Sequence, residues 1–144
     1  MRRQLTRLAL VFTIGPLAPL SPLSPLSPLA AQARWKEIGK TSTGNTVYVD
    51  PGSVKKDTGI ITARIRVRFL SPVILANGDQ WALSHDVAMF DCAKSRVAKK
   101  ESIYYSDVAA TKVVQHTTIA QPGFGPALGG SMAQVALDYF CKKK

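Results

Sequence analysis

The sequence predicts an α+β domain: an antiparallel meander of about six strands, with one C-terminal helix packed on one face and disulfide-tethered to it. Three observations carry that class. Ile60–Leu70 (IITARIRVRFL) places Ile61, Ala63, Ile65, Val67 and Phe69 on one side and Thr62, Arg64, Arg66 and Arg68 on the other, the alternation of a sheet with one covered and one wet face. Met132, Val135, Ala136, Tyr139 and Phe140 recur at three- and four-residue steps, the buried stripe of a helix. The two cysteines stand at the end of a strand, Cys92, and in the last turn of that helix, Cys141.

At 144 residues the chain has room for one domain. Residues 1–33 read as a secretory signal peptide that precedes it. Arg2, Arg3 and Arg7 supply a positive start, Leu8–Leu20 an apolar run broken by Gly15, Pro16 and Pro19, and Ala31-Gln32-Ala33 a cleavage site, so the mature domain covers residues 34–144. The apolar run falls short of the ~20 residues of a bilayer-spanning helix, and no transmembrane segment is expected. A Ser-Pro-Leu repeat lengthens the leader, and proline at that density blocks a helix. The leader holds no cysteine, so no lipid anchor is expected at Arg34.

Along the mature domain, Trp35–Gly39 reads as a first strand and Thr46–Asp50 (TVYVD) as its hairpin partner across the Thr41–Asn45 turn, with Val47 and Val49 on one side. Pro51-Gly52 stops that strand, and Ser53–Lys56 is an exposed connector anchored by Val54. Ile60–Leu70 follows, then a loop over Ser71–Asp79 with Pro72 and Asn77-Gly78 as breakers. Gln80–Cys92 runs back as a strand whose Ala88, Phe90 and Cys92 share one face, which must lie under the helix if Cys92 reaches Cys141. Arg96–Tyr105 and Lys112–Ile119 are the last strands, and Gln121–Gly130 is a glycine- and proline-rich loop. Ser131 opens the helix in a capping box with Gln134. Leu137 and Cys141 fall on the flank of the helix stripe, and Lys142, Lys143 and Lys144 follow at its C-terminal end, where the dipole favours positive charge.

Formal net charge is +10, from 19 basic and 9 acidic residues. Three of the basic residues lie in the leader and no acidic one does, so the mature domain still carries +7. That charge favours anionic partners: lipid head groups, lipopolysaccharide, sulfated glycans or acidic protein surfaces. Export and the absence of a groove-entering motif disfavour nucleic acid, and no nucleic-acid partner is expected. Export also favours bonding of the two cysteines over free thiols. There is no C-x-x-C, and two cysteines with two distant histidines make a poor zinc set, so no metal or other cofactor is expected. Closing a loop of about 50 residues contributes about 4 kcal/mol on a chain-entropy basis.

Several residues, taken in order, form a family pattern. Trp35 follows the signal site, then come Val47-Tyr48-Val49-Asp50, Ser53 in the next turn, Phe90-Asp91-Cys92, Tyr104-Tyr105, Gly130-Ser131 at the start of the helix, and Cys141. Across nearly all of residues 34–144 the chain resembles the surface-adhesin protein E family of Gram-negative bacteria. The resemblance implies an antiparallel sheet with a disulfide-tethered C-terminal helix. It also implies a non-enzymatic binding module at the cell envelope, with host matrix and serum proteins such as vitronectin, laminin and plasminogen among the family's ligands. It assigns no ligand residue here. The alternative is a periplasmic structural or accessory protein without adhesin activity, favoured by the leader that lacks a cysteine. The expected location is the periplasm or the outer cell surface, and an edge strand leaves a homodimer open.

Arg64, Arg66 and Arg68 are the candidate ligand-binding residues. On one strand face they stand about 6.8 Å apart, a comb of planar donors suited to sulfate, phosphate or carboxylate. The competing reading is a solvated face whose partners are Asp50 or Glu101. Ser84-His85-Asp86 has the residue types of a hydrolase triad but not the geometry, since His85 points away from the other two on a strand. His85 and His116 could meet across strands, but two ligands alone make a thin metal site. Lys99-Lys100 straddles two strand faces, and Tyr104-Tyr105 sends one ring inward.

Overall fold

The computed structural model describes residues 34–142. The expected leader, residues 1–33, and Lys143 and Lys144 of the basic end lie outside the described residues. Among those described, one antiparallel sheet contains β1 (Lys36–Lys40), β2 (Thr46–Val49), β3 (Lys55–Asp57), β4 (Ile60–Ile74), β5 (Gln80–Asp91), β6 (Arg96–Tyr105), β7 (Val113–Thr118) and β8 (Gly125–Pro126). One α-helix among the described residues, α1 (Met132–Cys141), follows. The spatial order β1-β2-β4-β5-β6-β7 is the expected meander, because each long strand turns back on its predecessor. Two short strands are additions. β3 pairs with β4 in the stretch read as a connector, and β8 pairs with β6 in the stretch read as loop. Three- and two-residue strands are too short to show alternation.

β4 also runs further than the sequence suggests, past Pro72 to Ile74. Its pairing with β5 jumps from Arg68↔Leu83 to Val73↔Trp81. The irregularity takes Pro72 out of the ladder, which is how a strand accommodates a residue without an N–H.

The core lies between one sheet face and α1. Cross-strand rows set it: Ile61 pairs with Phe90 and Ala63 with Ala88, while Val47 pairs with Val67 and Val49 with Ile65. Phe90, Ile65, Val47 and Val49 are fully buried. Phe90 meets Phe140 of α1 at 5.1 Å between ring centroids, so Ala88 and Phe90 do lie under the helix. Burying one such phenylalanine is worth about 1.5–3 kcal/mol. Cys92 and Cys141 are bonded, their Cα atoms 5.1 Å apart. At β1 the helix approaches the backbone closely. A Cβ at Gly39 would lie 2.9 Å from Val135 Cγ1, and φ there is +153°, a conformation only glycine takes readily.

Two details of the helix differ from the periodicity reading. Leu137 is 5% exposed and belongs to the core, whereas Tyr139 is 37% exposed and receives Lys36 at its hydroxyl. Cys141 must face Cys92, and Leu137, four residues earlier, shares its direction. Ala136, Leu137 and Phe140 therefore point inward together with Cys141. The capping box is half formed: Ser131 Oγ accepts from Gln134 N–H, but the Gln134 side chain donates to Asp138 instead.

Candidate functional site

Strand alternation puts Arg64, Arg66 and Arg68 on the face opposite α1, and the register fills in their neighbours. Arg64 pairs with Val87, Arg66 with His85 and Tyr48, Arg68 with Leu83 and Thr46. On β6 the same rows end in Glu101, Ile103 and Tyr105. This face is only partly wet. Leu83 is fully buried and Tyr105 is 9% exposed. The cover comes from Trp35 and from the 106–112 loop. Trp35 stacks on His85 at 5.0 Å, and His85 meets Tyr105 edge-on at 5.0 Å. The loop is held by Asp107, whose carboxylate accepts from Thr111 N–H, Thr111 Oγ1 and Lys112 N–H.

The three arginines consequently have different surroundings. Arg66 Nη2 donates to the Val108 carbonyl at 2.8 Å, and its guanidinium lies 5.7 Å from the Trp35 ring centroid. Burial holds its pKa below the usual arginine value. Arg68 shares a cleft of about 290 Å³ with Arg66, Tyr48, Trp35 and Val108. Arg64 borders two other clefts. One, of about 440 Å³, is lined by Arg34, Trp35, His85, Glu101 and Tyr105 among others. The second, of about 660 Å³, brings Arg64 together with Arg34, Lys55 and Lys100 and with Asp50, Asp57 and Glu101.

Neither proposed acid pairs with the stripe. Asp50 is 4% exposed, accepts from Arg34 Nε at 2.6 Å, and caps the turn Pro51–Ser53 through Gly52 N–H. Glu101 bonds His116 Nε2 at 2.7 Å. Among the described residues Arg64 has no carboxylate partner. His85 and His116 stand in one row with Ile103 between them, so they do not meet. Burial, then the Arg66 charge, lowers the His85 pKa to about 4, and the ring is neutral at physiological pH. Its Nε2 is buried with no hydrogen-bond partner.

On the helix side, Ser84 and Asp86 face away from His85, as alternation requires. Asp86, 2% exposed, accepts from Ser84 Oγ at 2.8 Å, Ser102 Oγ at 2.6 Å and Lys99 Nζ at 3.0 Å. Burial pulls the Lys99 pKa down, but Asp86 and Tyr104 outweigh it and the net shift is upward. The sequence reading missed this cluster. The signal for it was Asp86 two residues before Ala88, on the strand face that carries Phe90 into the core. Lys99 and Lys100 do take opposite faces, as expected. A β-bulge intervenes: Val87 pairs with Glu101 while Ala88 pairs with Lys99, leaving Lys100 as the extra residue. Lys99 goes to the helix side, and Lys100 joins Glu101 at the Arg64 cleft.

The family described as surface-adhesin protein E matches residues 35–142. No curated protein matches the chain by sequence. Crystal form II of Haemophilus influenzae protein E is similar in fold, with a TM-score of 0.53 at 10% identity, covering 87% of this chain and 96% of that one. The selenomethionine form of that protein gives 0.51 at 11% identity, over 85% and 92%.

Proposed function

The chain belongs to the surface-adhesin protein E family, and on that premise we propose that it is an exported binding module whose arginine-bearing sheet face receives anionic ligands at the periplasm or outer cell surface. Binding, not catalysis, is the role: Ser84 and Asp86 bond each other on one side of the sheet while His85 packs between Trp35 and Tyr105 on the other. The observation that carries the anionic reading is Arg64, exposed at the junction of two clefts with no carboxylate bonded to it among the described residues. Arg68 adds a second exposed guanidinium in the same strand face. Planar donors of this kind suit sulfate, phosphate and carboxylate groups, so sulfated matrix glycans, lipopolysaccharide and acidic patches of matrix or serum proteins are the ligand classes.

Retention on immobilised heparin tests this. Arg64→Ser with Arg68→Ser elutes at lower salt than the parent, with a melting temperature close to the parent's. Arg66 stays in place because it holds the Val108 loop and Trp35. Equal retention of the parent and the double variant rejects the arginine face as the binding surface.

A further inference from the structure

We propose that the anionic subsite on this face is a cradle formed by Arg64, Lys55 and Lys100, built for one sulfate or phosphate monoester on a short saccharide. It is not a linear comb along β4. The proposal rests on the anionic-ligand reading above and narrows it. Three observations support a cradle. The stripe is interrupted at its centre, since Arg66 is committed to the Val108 carbonyl and lies against Trp35, which separates Arg64 from the cleft of Arg68. A long polyanion laid along the strand would meet that interruption.

The second observation is convergence across strands. Lys55 comes from β3, Arg64 from β4 and Lys100 from β6, and all three line the cleft of about 660 Å³. None of the three is bonded to a carboxylate among the described residues. Three strand spacings separate β3 from β6, about 14 Å, the span of a disaccharide and not of a polymer. The third observation is the bulge. Regular alternation would send Lys100 to the same side as Ser102. The extra residue between Val87↔Glu101 and Ala88↔Lys99 re-aims it into the cleft. Thr62 adds a hydroxyl group to the lining, Ser53 Oγ is already bonded to the Asp50 carbonyl and the Arg64 N–H, and Asp57 and Glu101 in the same cleft limit the anionic charge it takes. Arg34 is neutralised by Asp50 and serves as a wall, not as a donor.

The test is calorimetric titration of the exported protein with two probes, a sulfated heparin disaccharide and a phosphorylated glucosamine disaccharide. Lys55→Ala and Lys100→Ala change exposed side chains, and each should weaken the tighter probe roughly three- to fivefold, as expected for one exposed charge contact. Lys94→Ala, an exposed lysine outside every cleft of this face, should leave that affinity within about twofold. The preferred probe assigns the source, a sulfated glycan or a phosphorylated lipid headgroup, and either preference supports the cradle. A Lys94→Ala loss as large as that of Lys100→Ala overturns it in favour of a diffuse field. Retention on heparin that depends on Arg64 and Arg68, with neither lysine variant affecting the probes, overturns the cradle but leaves the proposed function standing. Absence of binding to heparin and to both probes removes the two together.

Discussion

Acidification should destabilise this domain through His85, and the size of the effect follows from the ring's surroundings. His85 packs between Trp35 and Tyr105, with Arg34, Arg64 and Arg66 nearby and only Asp86 and Glu101 as acids around it. Its pKa is about 4 in the folded protein against 6.5 as the reference. Between those values the unfolded chain binds a proton that the folded chain refuses. Stability is therefore complete above pH 6.5 and is lost as pH falls toward 4. For the whole shift, moving from pH 7 to pH 4.5 removes about 2.4 kcal/mol. The ring is only partly buried, and solvent screening reduces this to about 1–2 kcal/mol. That corresponds to a melting temperature roughly 4–16 °C lower. The assay is urea unfolding at both pH values for the parent and for His85→Phe, which keeps an aromatic ring between Trp35 and Tyr105 but cannot titrate. Carboxylate protonation is common to both proteins and cancels. The variant should lose about 1–2 kcal/mol less than the parent on acidification. Equal losses would show that His85 is protonated in the fold, and the covered arrangement of Trp35 over this face would be wrong.

Two further predictions concern the helix side. Replacing Cys92 and Cys141 by Ala should lower stability by about 4 kcal/mol, measured by urea unfolding, because the 49-residue separation makes the unfolded loop costly to close. Amide exchange should then show α1 opening ahead of β4 and β5, and simultaneous opening would mean that Phe90–Phe140 packing alone holds the helix. Asp86→Ala should cost about 3 kcal/mol by the same assay, since it strands Lys99 and the buried hydroxyls of Ser84 and Ser102. Lys99→Met should cost less, because Asp86 keeps both hydroxyl bonds and the Lys99 side chain is 40% exposed.

Much of the fold is legible in the chain because it depends on local periodicity. The alternation of Ile61 through Phe69 is a property of β4 alone, and so is the placement of Arg64, Arg66 and Arg68 on one side. The meander needs turns between such strands, at Asn45, Gly59, Gly78, Ser95 and Ala110. The cysteine pair was decided by export and by count, not by geometry. Each of these rests on residues within a few positions of one another, or on the existence of a single pairing.

What the tertiary structure decided depends on register and on distant cover. Whether Arg66 is a free donor turns on Val108, which reaches it from 42 residues away in sequence. Trp35 is an unremarkable aromatic at a strand start until it lies on His85. The bulge at Lys100 changes nothing in composition, yet it sends one lysine to Asp86 and its neighbour to Arg64. That α1 buries Leu137 and exposes Tyr139 depends on where the helix meets the sheet, at Phe90 and Cys92. Alternation states which residues share a face; only the closed fold determines what comes to lie over it, because that contact energy belongs to pairs of residues far apart along the chain.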